Sequence, residues 1–234
     1  MKLIKHYDFT NMNQLDEKDW TIEVGDKWAN NEIQRYVNHP DNHFFRDGLV
    51  IQATNKNGII ESTRINTKDK FSFKFGKIDI VAKLPKGKGT WPALWMMSQN
   101  HLYGRWPRSG EIDIMEHTAK DLDHLYLCLH TEAYNHRQKD YYYFKTHVKG
   151  LTDDFQKFSL LWEEDKITYL LNDQVMVSYR RGENGWDDTH KGWPFNDDEF
   201  YLIINLAIGG GLGGPVDFDS FPQQFIIKDI KIYQ

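Results

Sequence analysis

Apolar and polar residues alternate along much of this chain. Phe71-Ser72-Phe73-Lys74-Phe75 alternates cleanly, as does Lys77-Ile78-Asp79-Ile80; a period of two predicts strands with one buried face. Ile167 to Leu171 and Val175-Met176-Val177 flank the polar Asn172-Asp173-Gln174, which predicts a hairpin with a short turn. Phe225 to Tyr233 predicts a closing strand. Helical signals are scarce: a brief turn in Asn13 to Asp19 and another in Asp153-Asp154-Phe155. Pro85-Lys86-Gly87-Lys88-Gly89 and the glycine-rich run from Gly209 to Pro215 predict loops. No repeat, low-complexity tract or linker interrupts the pattern. Residues 1–234 are therefore expected to form one all-β domain, a sandwich of two antiparallel sheets or a jelly roll.

One segment departs from strict alternation. In Glu111-Ile112-Asp113-Ile114-Met115-Glu116 the first two acids share a face and the two isoleucines point the other way. Continued alternation would turn Glu116 into the core. An extra residue at Met115, taken up in a β-bulge, returns Glu116 to the face of Glu111 and Asp113. At about 3.3 Å per residue, Glu111 and Glu116 have Cα atoms roughly 12–14 Å apart. Two long side chains leaning together reach the ~5–5.5 Å carboxyl separation of a retaining glycosidase more readily than ~9 Å with water between. A third carboxyl between them shares a proton or a hydrogen bond and pushes the pKa values apart. The competing reading is a solvated acidic strand face.

Composition narrows the partners. Of 234 residues, 15% are aromatic, with 8 Trp, 12 Tyr and 14 Phe, a supply suited to stacking on flat ligands. A net charge of −5 argues against nucleic acid or an anionic membrane as partner. Cys128 is the one cysteine, so no intramolecular disulfide forms; between Leu127 and Leu129 it reads as a buried structural thiol. No signal-peptide pattern and no apolar run of about 18–20 residues is present. The expected location is the cytoplasm, or outside the cell if a signal segment has been removed, and the expected state is a monomer.

Other motifs carry less. The run at 209–215 lacks the Gly-Lys-Ser/Thr ending of a phosphate loop. The ten histidines include no His-x₃-His pair on a helix to hold zinc, and no Gly-x-Ser-x-Gly elbow appears. Tryptophan does stand out. An indole plate matches the C–H face of a sugar ring while polar groups at its edge set orientation. Trp106 sits in a polar Gly/Pro/Arg loop and reads as a cleft residue; Trp91 and Trp95, among Leu94, Met96 and Met97, read equally as cleft or core.

The string from Trp106 through Pro107-Arg108-Ser109-Gly110 to Glu111-Ile112-Asp113-Ile114-Met115-Glu116 resembles the signature of glycoside hydrolase family 16 in its bulged, laminarinase-like form. Asn30 to Tyr36, Phe71 to Met96, Asn205 to Gly210 and Ile227 to Tyr233 match the same family in the same order, over essentially the whole chain. The resemblance implies a β-jelly-roll with a concave cleft and endo-hydrolysis of β-glucan with retention, needing no cofactor for the chemistry. It implies Glu111 as nucleophile, Asp113 as its partner and Glu116 as general acid/base. Trp91, Trp95 and Trp106 would be sugar platforms, and Asn30, Arg64, His130 and Asn205 hydroxyl-binding groups, with a structural salt bridge equally open for Arg64. It also implies a structural calcium at Asp229, with main-chain oxygens near Asp8 and Gly48. The flank from Leu127 to Arg137, with Tyr141-Tyr142-Tyr143, departs from the family pattern and bears on linkage preference.

The expected substrate is β-1,3-glucan of laminarin type, with mixed-linkage β-1,3-1,4-glucan as a further one. Three rivals remain: a lichenase-like enzyme, a galactan hydrolase and a transglycosylase. From another class comes a non-catalytic glucan-binding jelly roll, which would have no reason to keep three acids in register.

Overall fold

The predicted hairpin forms around a two-residue turn. Asn172 and Asp173 take φ of 49° and 68°, as a turn matched to strand twist requires. Gln174 pairs with Leu171 and belongs to the strand. The structure, a computed structural model, describes residues 1–138 and 141–234.

The alternating run from Phe71 to Phe75 is not a strand. Phe73 makes a single bridge to Phe200, because Phe75 and Gly76 adopt φ of 60° and 115° and redirect the chain. Any Cβ at Gly76 would lie 2.0 Å from the Tyr233 carbonyl oxygen, so only glycine permits this approach. The segments at 13–19 and 153–155 close as isolated turns. The glycine-rich run is more ordered than a loop: Gly210–Gly213 winds into one helical turn.

Seventeen strands among the described residues form two sheets. In the seven-stranded sheet the order is Tyr142–His147, His124–His130, Glu111–His117, Thr90–Ser98, Phe200–Ile208, Arg64–Asn66, Thr21–Glu23. The ten-stranded sheet is built on Gly76–Lys83 and Gln223–Tyr233, with the hairpin at one edge. Pairing is antiparallel except between Arg35–Tyr36 and Ile59–Ser62. The architecture is the expected β-jelly-roll.

Alternation now has a destination. Met96, Ile112, Leu129 and Ile204 from one sheet meet Ile80, Phe158, Leu160, Trp162 and Ile230 from the other in a single core. Each large side chain buried there contributes about 1.5–3 kcal/mol. The opposite face of the seven-stranded sheet floors a cleft of about 730 Å³.

Candidate active site

The Glu111–His117 strand contains the bulge. Against its neighbour His124–His130, Asp113 pairs with Cys128 and Glu116 with Tyr126, so two intervening residues oppose one. Against Thr90–Ser98, Asp113 pairs with Trp95, Met115 with Leu94 and Glu116 with Ala93, leaving Ile114 unmatched. Ile114 and Met115 are together the bulge, and both enter the core. Burying two successive apolar side chains is what forces the slip, and its consequence is that Glu111, Asp113 and Glu116 all line the cleft.

The three carboxyls are largely buried on the cleft floor, Asp113 fully and Glu111 and Glu116 in part. Burial first, then the charges of Asp113 and Glu116, push Glu111 well above the usual carboxylate range, while His130 pulls it down. Burial and the charge of Glu116 push Asp113 well up. Glu116 is also raised by burial, against the N–H of Trp91, which lowers it; Trp91 Nε1 donates to Glu116 Oε1 at 2.9 Å. His130 Nε2 is 3.3 Å from Asp113 Oδ2 and 3.9 Å from Glu111 Oε1. Groups this close do not all ionise together, so the cluster holds fewer charges than carboxyls at neutral pH.

Each expected binding residue lines the same cleft: Asn30, Arg64, Trp91, Trp95, Trp106, His130 and Asn205. Trp91 and Trp95, ambiguous in sequence, are half-buried cleft residues with their ring N–H groups engaged. Trp95 Nε1 donates to Asn205 Oδ1 at 2.7 Å, and Asn205 Nδ2 donates to the Tyr36 hydroxyl at 3.0 Å. That leaves Asn205 one N–H and one lone pair for a sugar. Arg64 both pairs with Glu23 and lies over Trp28 and Trp95, 4.9 and 4.8 Å from the ring centres. Trp106 stacks on His136 at 5.2 Å and lies under Arg137 at 4.8 Å.

Residues 27–204 match the model of the glycosyl hydrolases family 16. The chain belongs to that family. It is 34% identical over 232 residues to a beta-glucanase of Rhodothermus marinus, covering 94% of this chain and 80% of that one. It is 38% identical over 212 residues to a glucan endo-1,3-beta-glucosidase of Cryptopygus antarcticus, covering 86% and 78%. The crystal structure of a laminarinase from Flavobacterium sp. UMI-01 superposes with a TM-score of 0.92 at 37% identity, covering 100% of both chains.

The family 16 cleft also includes Trp28, Glu32 and Tyr126, which the sequence did not mark, and Cys128, His136, Arg137, Tyr141 and Tyr143 from the flank expected to bear on linkage preference. Cys128 is buried as expected, but on the cleft side. Leu127 and Leu129 turn to the core, and the strand's period of two sends Tyr126, Cys128 and His130 the other way. That parity was readable once His130 was taken as a cleft residue. Glu32 had a weaker signal, its place in the Asn30 to Tyr36 string. Burial raises its pKa against hydrogen bonding from Gln34.

Asp229 lies far from this chemistry, opposite Asp8 in strand register. A Cβ on Gly48 would touch Ile227, so the expected calcium location is assembled as a neighbourhood. Its carboxylate, however, meets His6 Nε2 at 2.9 Å and Lys231 Nζ at 3.3 Å. Both oxygens face nitrogen donors and one of these is an ammonium, a donor set that does not fit a hard dication requiring six to eight oxygens.

Proposed function

We propose that this family 16 chain hydrolyses internal β-1,3 linkages of a laminarin-type glucan with retention at the anomeric carbon. The observation that carries the reading is the bulge at Ile114 and Met115, which returns Glu116 to the cleft beside Glu111 and Asp113. Glucan names among the relatives support the substrate.

In this reading Glu116 is the general acid. Burial raises its pKa and so favours the protonated form, and the Trp91 N–H fixes its orientation. It gives its proton to the glycosidic oxygen, and the leaving sugar departs as an alcohol. Glu111, ionised, attacks the anomeric carbon and forms a glycosyl ester. Asp113 carries a proton in this reading and Glu111 the charge, a state that His130 favours electrostatically. Glu116, now a carboxylate, takes a proton from water; the hydroxyl adds to the anomeric carbon and Glu111 is released. Two inversions give net retention. Trp91, Trp95 and Trp106 would hold sugar rings, and Asn30, Arg64, His130 and Asn205 would meet hydroxyl groups.

The test combines a product profile on laminarin, lichenan, barley glucan and agarose with the anomeric configuration of the first product by NMR. Laminarin oligosaccharides released first as the β-anomer are expected. An α-anomer released first overturns the roles of the acids. Binding of laminarin without turnover of any polysaccharide replaces the hydrolase with a glucan-binding jelly roll.

A further inference from the structure

Cys128 has no part in the chemistry above, yet it faces the reacting groups. It pairs with Asp113 across the sheet, and His130 stands two residues on along the same strand. Alternation therefore puts a thiol and an imidazole side by side on the cleft floor, with a carboxylate opposite. One ligand atom from each of the three lies within 4.8 Å of those of the other two, and all three side chains are buried.

Among the described residues Asp113 Oδ2 has no hydrogen-bond partner, in a residue only 3% exposed. Asp113 Oδ2 lies 3.3 Å from His130 Nε2, close but not aligned as a hydrogen bond. A buried carboxylate oxygen left this way is costly unless something else meets it.

We propose that the floor of this cleft is also a binding site for zinc, held by the Asp113 carboxylate, the Cys128 thiolate and the His130 imidazole. The donor set is mixed sulfur, nitrogen and oxygen, which suits zinc and disfavours calcium or magnesium. Zinc bonds of about 2.0–2.3 Å put tetrahedral ligands about 3.3–3.6 Å from one another. The Asp113–His130 separation of 3.3 Å already equals such an edge, and the other separations, none above 4.8 Å, close by at most roughly 1 Å of side-chain rotation. Three protein ligands leave the fourth position to water. Burial first, then the carboxyl cluster, push the Cys128 thiol well up in the free cleft; on binding, the cation displaces the thiol proton to solvent.

Bound zinc would tie up Asp113 and His130, the two groups that set the charge on Glu111 in the reading above. It would therefore block hydrolysis, a consequence that rests on the function proposed above; the binding itself does not.

The test is a cadmium titration of the intact chain, read by the ultraviolet thiolate-to-cadmium charge-transfer band, with zinc as competitor. One equivalent should saturate the band and zinc should abolish it. In Cys128→Ala and in the closely isosteric Cys128→Ser the band should vanish, and zinc affinity by calorimetry should fall at least about 10–100-fold, the loss that even outer-shell partners produce. The ratio of laminarin turnover with and without zinc should drop in the original chain and return to near one in both variants. Absence of a one-equivalent band, or equal zinc affinity in all three chains, overturns the site. A chain inactive on laminarin that still shows the band keeps the metal site and removes the hydrolase reading.

Discussion

The two flanks of the cleft are built on different physics. On the Arg64 side, polar groups are cross-braced: Trp95 donates to Asn205, Asn205 to Tyr36, and Arg64 pairs with Glu23 while covering Trp28 and Trp95. On the Trp106 side, contacts are ring on ring: Trp106 on His136, His130 on Tyr141 at 5.7 Å, and Arg137 above the indole. Trp106 Nε1 itself has no hydrogen-bond partner among the described residues. The first flank is held in shape before a sugar arrives, so its affinity loses little to ordering. The second offers flat surface with little wiring, so it takes more of its shape from what stacks there. The three acids lie at the seam.

The largest expected effect is at that seam. Glu116→Gln should slow laminarin hydrolysis by about 10²–10⁴-fold, the usual worth of a general acid/base. On an aryl glucoside with a good leaving group the first step needs no proton, so glycosyl-enzyme should form in Glu116→Gln and not in Glu111→Gln. Trapping it by mass spectrometry in the Glu111 variant instead would exchange the two roles.

Trp106→Ala should weaken laminarin-oligosaccharide affinity by about 1–3 kcal/mol, read by calorimetry with folding checked by circular dichroism. A variant that fails to fold would make this ring a core element and break the contrast between the flanks. Tyr36→Phe, on the braced flank, should cost about 1 kcal/mol through a loosened Asn205. An affinity loss as large as that of Trp106→Ala would mean that the two flanks share one mechanism.

The acids also act on stability. Raised in the fold by burial, they bind protons there that their unfolded counterparts, with pKa of about 3.9–4.3, have released. The folded state thus holds more protons, and stability contributed by the cluster falls as pH rises above about 4 toward the folded pKa values. Asp113→Asn should remove part of that penalty and raise Tm at neutral pH, by about 2–4 °C for each kcal/mol relieved. A lower Tm at pH 7 than in the original chain would mean that the negative charge is stabilising where it stands. The smallest effect is expected at Asp229: excess EDTA should leave Tm unchanged, because His6 and Lys231 already occupy its carboxylate.

The acids were legible because their signal is local. A single strand, Glu111–His117, carries all three, and a break in its alternation is visible without any partner strand. The hairpin at Asn172 and Asp173 and the closing strand were legible for the same reason. The run from Phe71 to Phe75 misled because alternation reports which way side chains point, not whether the backbone keeps its direction. The left-handed turn at Phe75 and Gly76 is set by the approach of the Tyr233 carbonyl, a residue far along the chain.

Sequence alone determined the fold class, the shared face of Glu111, Asp113 and Glu116, and the aromatic supply for a glycan cleft. Each is written in spacings of a few residues, which strand geometry translates directly. Tertiary structure decided that Trp91 and Trp95 belong to the cleft, that Asn205 is held by Tyr36 and Trp95, that Asp229 faces His6 and Lys231, and that Cys128 meets Asp113 and His130. Those depend on which strands lie side by side. Register between strands is set by the packing of the whole core, and no local pattern encodes it.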